Sequence, residues 1–318
     1  MWRYPPRGPF ASPAHIIRIA QAAEEFGYAA LWTYERLLRP VGDLPQSGGP
    51  PRPLPKAYRV TFEPLETLSY VAALTERIML GTSVIDALFH PPVMLARRFA
   101  TLDQFSNGRV IAGLGQGWMP QEFETANVPM KRRGAGLDEV IEAMRACWGA
   151  DPVSYQGRFY RIAPSEVGPK PVQSHIPVLL GSMTPAGVAR AARTADGINP
   201  IVLSEEVLRG LISAFHDAAR EQGRDPADLT LVASANVPVT VDPIGEGRPF
   251  LGGSPGRSPT TSPDSTVRVS TRCCSPTRRP RTSTRRCGCW RNCSGSSPVD
   301  QDSLMQRHLV GQQRRERP

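Results

Sequence analysis

Four short segments of this chain combine residue types able to do chemistry with a place just beyond an apolar run. Gly115-Gln116-Gly117-Trp118 follows the run at 110–114, where glycines would let a ligand approach the backbone. Gly181-Ser182-Met183-Thr184-Pro185 follows Leu180, so free backbone N–H groups, two hydroxyls and a helix start converge, an arrangement suited to phosphate. A helix merely capped by Thr184 is the alternative. Thr82, Ser83 and Val84 lie in the apolar segment 78–85 and either finish a core strand or face a ligand. Glu35 and Arg36 lie just past residues 28–32. Glu35 could serve as an acid or base, or form a surface ion pair with Arg36 or Arg39. Arg36 stays charged at neutral pH, so it can orient an anion but is a poor proton donor. His90, between Phe89 and Pro91, either lines such a site or covers a strand end.

The elements that must hold these segments alternate in type. Ser12 can cap a helix begun by Pro13, whose stripe Ile16, Ile17, Ala20, Ala23 and Phe26 ends at Gly27. Residues 28–32 read as a strand, 64–76 as a helix and 78–85 as a buried strand. A helix from Pro92 to Phe105 carries Val93, Leu95, Ala96, Phe99, Ala100 and Leu102 at helical spacing, and Ser106-Asn107-Gly108 stops it. Further helices are read at 136–148, 185–194 and 204–222, strands at 110–114, 176–180, 197–202 and 229–241, and a hairpin around Gln156-Gly157. The Pro- and Gly-rich stretch 38–63 reads as a long binding loop.

Such alternation calls for parallel βαβ units with right-handed crossovers. The fold class is therefore α/β, a TIM-type (β/α)8 barrel. Six strands are read where about eight are needed. The barrel is thus expected to be incomplete, with its first and last strands degraded. An open doubly wound sheet is the alternative, but the G-x-G-x-x-G turn and following acid that it should carry are missing.

The charge of the whole chain, +9, misleads about partners. Residues 245–318 hold 14 Arg, no Lys and 5 acids, and 14 − 5 = +9, so the first 244 residues are neutral. The domain division is accordingly 1–244, the barrel, and 245–318, a tail rich in Arg, Ser, Pro and Cys. The tail holds five of the six cysteines and has no sustained apolar period, so disorder is expected. A zinc cluster or a nucleic-acid arm is disfavoured, because separated Cys pairs and interleaved aromatics are both lacking. Arg, Ser, Pro and Cys without Lys also match GC-rich coding DNA read out of frame. No secretory signal and no membrane-length apolar run is evident, and the lone Cys147 suits a reduced compartment, so a cytoplasmic location is expected.

The ordered motifs resemble the luciferase-like monooxygenase superfamily, in particular its coenzyme F420-dependent oxidoreductases. They comprise Ala22-Ala23-Glu24-Glu25-Phe26-Gly27-Tyr28 with Leu31-Trp32, Leu80-Gly81-Thr82-Ser83-Val84, and Ala96-Arg97 through Thr101-Leu102-Asp103. Ser106-Asn107-Gly108-Arg109 with Gly113 to Trp118, Arg132-Arg133-Gly134, Pro169-Lys170-Pro171-Val172-Gln173 before Ile176-Pro177-Val178, and Ala195-Asp196-Gly197 complete the set. The resemblance spans roughly residues 12–253.

It implies a barrel holding coenzyme F420, or alternatively FMN, at its strands' carboxyl ends. It also implies hydride transfer to or from a small organic substrate. Thr82, Ser83 and Val84 would pass beside the tricyclic ring, with a non-proline cis peptide at Ser83-Val84. Gly115, Gln116, Gly117 and Trp118 would contact the cofactor, and Gly181, Ser182 and Thr184 would bind its phosphate. Glu35 and Arg36 would be the catalytic pair, in the place where relatives carry an Asp-His pair. No metal is implied.

The competing reading is an inactive, truncated or frameshifted barrel, whose open edges would invite aggregation or pairing with a second copy as a homodimer. If the tail is out of frame, resequencing the locus should reveal an indel near Gly253. An intact frame in close relatives that carry the same tail would refute that origin.

Overall fold

The computed structural model describes residues 2–3, 12–46, 49–202, 204–235 and 267–272. The chain opens with β1 (Trp2–Arg3), α1 (Pro13–Glu25), β2 (Ala30–Thr33) and the antiparallel pair β3 (Asp43–Gln46) and β4 (Gly49–Pro53). Then come α2 (Pro64–Ala72), β5 (Met79–Thr82), β6 (Ile85–Asp86), α3 (Pro92–Ser106), β7 (Val110–Gly115), α4 (Pro120–Thr125) and α5 (Ala135–Trp148). A hairpin of β8 (Val153–Gln156) and β9 (Arg161–Ser165) precedes β10 (Val178–Leu180), α6 (Pro185–Thr194), β11 (Gly197–Ile198), α7 (Glu205–Glu221), β12 (Thr230–Ala235) and β13 (Val267–Arg272).

Parallel pairing runs β1, β2, β5, β7, β10, β11, β12, β13 and back to β1, so the row of strands returns on itself. The barrel expected from the alternation is present; among the described residues its first strand is β1, and β13, inside the segment where the last strand was expected to be degraded, pairs with both β12 and β1. The segment that should carry the crossover from β12 to β13 falls at 236–266, outside the described residues. So do the rest of strand 229–241 beyond Ala235 and all of the basic tail except β13. The expectations of disorder and of an out-of-frame tail therefore fall mostly outside the described residues. Part of the long loop forms regular structure. Residues 38–63 contain the β3–β4 hairpin, and Arg39 ties it back by donating to Leu54 O at 2.6 Å.

Local chemistry sets the boundaries. The Ser12 hydroxyl accepts from His15 N at 3.3 Å to start α1, and Asn107 at φ 54 ends α3 in the left-handed region that Asn tolerates. Apolar helix faces pack outside the strands in one continuous core. Inside the barrel, Trp32, Ala30, Leu179 and Val232 form a second, smaller cluster. Trp32 is 1% exposed and lies over Gly81, where any Cβ would fall 2.6 Å from the indole.

Several of the motif residues brace the end of the barrel opposite the site. Arg109 uses its guanidinium to join the strand entries. It donates to Ser106 O at 2.6 Å, to Thr75 Oγ1 and Ile78 O at 3.0 Å each, to Ala72 O at 3.1 Å and to Thr75 O at 2.8 Å. Asp103, fully buried, accepts from Val172 N, Gln173 N and Gln173 Nε2. Glu24 accepts the backbone N–H groups of Glu76, Arg77 and Ile78.

Removing Arg109 would leave buried carbonyls without donors while keeping the fold's topology. Arg109→Leu is expected to lower unfolding free energy by about 3 kcal/mol or more, read by urea denaturation. A loss below about 1 kcal/mol would show that water replaces the guanidinium freely.

Candidate active site

In a parallel barrel all carboxyl ends lie on one face, where the connecting loops form a mouth. A cavity of about 420 Å³ opens there. It is lined by Glu35 and Arg36 after β2, Ser83 and Val84 after β5, Gly115, Gln116, Gly117 and Trp118 after β7, and Gly181, Ser182 and Thr184 after β10. Segments far apart in sequence thus meet on one surface. Thr82 is the exception among the expected residues. It is fully buried, and its hydroxyl donates to Gly113 O at 2.7 Å and accepts from Gly113 N at 3.0 Å, so it locks β5 to β7 behind the cavity wall.

The floor is built by close backbone approach. The Ser83-Val84 peptide is cis, as the resemblance implies. Val84 projects between Gly115 and Gly181, and a Cβ at either glycine would fall 2.6 or 2.8 Å from a Val84 methyl. The glycines therefore make room for a raised apolar ridge across the middle of the cavity. Beside it, Ser83 Oγ donates to Asn199 Oδ1, and Asn199 Nδ2 donates to Val232 O at 2.6 Å. The polar side of the floor is thus fixed to β12. At the rim, Trp118 and Met183 are each 49% exposed, leaving a large apolar surface that a flat ligand could cover.

The charged groups form a buried arrangement that overturns one expectation. Glu35 pairs neither with Arg36 nor with Arg39. It is 8% exposed; its Oε1 meets His90 Nε2 at 2.7 Å and its Oε2 accepts from Asp86 N at 2.9 Å. Arg36 instead donates to Glu122 at 2.7 Å, and its guanidinium lies 5.6 Å from the Trp118 ring centroid and 5.7 Å from that of Tyr58. Glu122 also accepts from the N–H groups of Leu37 and Leu38, which fixes the turn after β2. Burial holds the Glu122 carboxyl above the ordinary range, against the pull of Arg36 and those two N–H groups. Gln116 is committed too, accepting from Gly134 N at 3.0 Å and so steadying the loop that brings Arg133 to the cavity.

Asp86, Asn199 and Glu122 are the residues of this region that sequence reasoning missed, and Arg133 enters it only as part of a motif. Asp86 and Asn199 had a usable signal, since each is a polar residue inside an apolar run just past a buried strand. Glu122, between Gln121 and Phe123 in a short helix, had none. Asp86 is 7% exposed, and its Oδ1 accepts from Gly117 N at 3.1 Å. Burial and then the Glu35 charge push its carboxyl up to about 7, Arg36 opposing.

At the turn into α6, Thr184 Oγ1 accepts from Gly187 N at 3.2 Å as the helix cap, and the Ser182 hydroxyl stands 3.5 Å from it. Among the described residues, no group of three or more His, Cys, Asp or Glu side chains could hold a metal ion, and no helix is long and apolar enough to cross a membrane.

These features belong to a defined class of protein. The profile of the luciferase-like monooxygenase family matches residues 2–243, and the chain is a member of that family. Among its relatives, an uncharacterised protein of Mycobacterium tuberculosis is 40% identical over 182 residues, covering 56% of this chain and 64% of the relative. An F420-dependent glucose-6-phosphate dehydrogenase of Amycolatopsis mediterranei is 31% identical over 192 residues, covering 58% of this chain and 52% of that enzyme. The chain thus spans less than two thirds of the length of these curated relatives. Among solved structures, the monooxygenase RslO1 of Streptomyces bottropensis superposes with a TM-score of 0.64 at 27% identity, covering 76% of this chain and 73% of that one. The coenzyme F420-dependent tetrahydromethanopterin reductase of Methanopyrus kandleri, at 20% identity and a TM-score of 0.61, shares the fold.

An acid held above its unfolded range of 3.8 destabilises the fold once ionised. Stability is therefore expected to fall as pH rises from about 4 to about 7, at a cost of about 4 kcal/mol once Asp86 is charged. Asp86→Asn keeps an acceptor for Gly117 N–H and should remove that part of the slope. Equal pH profiles of unfolding free energy for the two proteins would refute the assignment.

Proposed function

We propose that the chain is an oxidoreductase that binds coenzyme F420 in this cavity and moves a hydride between it and a small organic substrate. One observation carries the reading: an apolar ridge, two glycine-bearing strand ends and a hydroxyl-rich helix start face one another across a single cavity of about 420 Å³. The Val84 ridge would support a tricyclic ring from below, with Gly115 and Gly181 keeping its flanks clear. Ser182, Thr184 and the first N–H groups of α6 would hold the phosphate, with Arg133 supplying positive charge from across the cavity. Trp118 and Met183 would exclude water from the ring. The bound deazaflavin supplies the hydride chemistry, while the chain supplies orientation and charge. FMN fits the same set of contacts, since its ring and single phosphate make the same demands.

Titrating the full chain with coenzyme F420 and with FMN, followed by fluorescence, tests the reading. Saturable binding at micromolar concentration is expected for one of them, with Arg133→Gln weakening it about tenfold, the loss of one charge-assisted contact. Failure of both cofactors to bind at high micromolar concentration would defeat the reading.

A second reading has one observation behind it, the Arg-, Ser- and Pro-rich composition of residues 245–318 without a single Lys. On that reading the chain is a damaged, non-catalytic barrel. Soluble full chain with a cooperative melt and bound cofactor excludes it, whereas insolubility rescued by restoring the reading frame near Gly253 establishes it.

A further inference from the structure

We infer that Asp86 is the group that exchanges the proton accompanying hydride transfer in this cavity. The inference rests on the hydride-transfer reading above and extends it to the proton, which neither Arg36 nor Glu35 is placed to handle. Arg36 is tied to Glu122, and a guanidinium is a poor proton donor. Glu35 has both carboxylate oxygens engaged, one with His90 and one with Asp86 N. Asp86 has one oxygen on Gly117 N, and its other oxygen meets no protein donor among the described residues.

Its carboxyl lies against the strand end of β7: a Cβ at Gly115 would fall 2.8 Å from Asp86 Oδ1 and 2.6 Å from the Val84 ridge. Asp86 therefore lines the cavity immediately beside the surface proposed to carry the ring. The groups facing it are Glu35 and Glu122, which oppose its ionisation, and Arg36, which favours it, with His90 behind Glu35. That balance suits an acid and base acting near neutral pH.

With a carbinol as substrate, or its ketone as probe in reverse, the O–H and C–H bonds break and a C=O bond forms in the oxidation direction. The hydride and its electron pair pass to oxidised coenzyme F420, and the proton passes to the Asp86 carboxylate. In the reduction direction the protonated Asp86 returns that proton to the forming alkoxide.

Two measurements test this. Carboxyl resonances of protein labelled with ¹³C-aspartate, assigned to Asp86 by their loss in Asp86→Asn, are expected to titrate near neutral pH, and the midpoint should move when oxidised coenzyme F420 is added. Glu35→Gln should lower that midpoint by removing a like charge. A midpoint in the ordinary carboxylate range, or one that bound coenzyme F420 leaves in place, would overturn the inference. In single turnovers of reduced coenzyme F420 with cyclohexanone as probe, Asp86→Asn is expected to slow cofactor oxidation about 100-fold or more, the usual contribution of a positioned acid, and to abolish the loss of rate above neutral pH. Cofactor affinity should stay within a few-fold of the unsubstituted chain. Rates and pH limbs equal in both proteins would overturn the inference with the hydride reading intact, whereas failure of both coenzyme F420 and FMN to bind would overturn both. Should cyclohexanone be inert with both proteins, the carboxyl titration decides.

Discussion

The close approach of three strand ends around Val84 is the constraint on which the rest of the site depends. Val84 stands between Gly115 and Gly181 with less room than any side chain at those positions could share. Because β5, β7 and β10 are adjacent in the barrel, that contact sets the shape of the cavity floor. It interrupts the strand between Thr82 and Ile85, brings Ser83 to Asn199 and lets Asp86 reach Gly117 N. The apolar ridge and the polar wall beside it are thus consequences of a single packing event.

The second organising feature is charge kept from water. Glu35, Asp86 and Glu122 are each less than a tenth exposed; Arg36 pairs with Glu122, and His90 Nε2 meets Glu35. Carboxylates in such surroundings persist only if hydrogen-bonded or protonated. Glu122 takes the first route, holding the Arg36 guanidinium and two backbone N–H groups. Asp86 accepts one backbone N–H and takes the second route below neutral pH. The same burial that costs stability at this position therefore gives the cavity a group able to change charge where substrate would sit.

Motif residues divide between two ends of the barrel. Arg109, Asp103 and Glu24 answer to the amino-terminal end, where strand entries and loop carbonyls need donors and acceptors. Gly115, Gly117 and Ser182 answer to the carboxyl end, where a ligand needs space and polar groups. Both sets stand out equally in the sequence, because a buried brace and a binding residue impose similar demands on residue type. Thr82 illustrates the difficulty: one position before the cavity wall, it spends its hydroxyl on Gly113 and only supports the wall.

The sequence by itself determined the alternation of helices and strands, most of the caps and turns, and the segments whose ends meet at the mouth. Those follow from local rules: apolar period, a capping hydroxyl, and a glycine or asparagine tolerant of left-handed backbone. Tertiary structure alone decided which charges pair. Arg36 and Glu122 are 86 residues apart, Glu35 and His90 are 55 apart, and nothing local distinguishes those partners from nearer ones. It also decided that Asp86 would be buried beside Glu35, because proton affinity depends on solvent exclusion and on neighbouring charge, and both are set only when distant strands close around the residue.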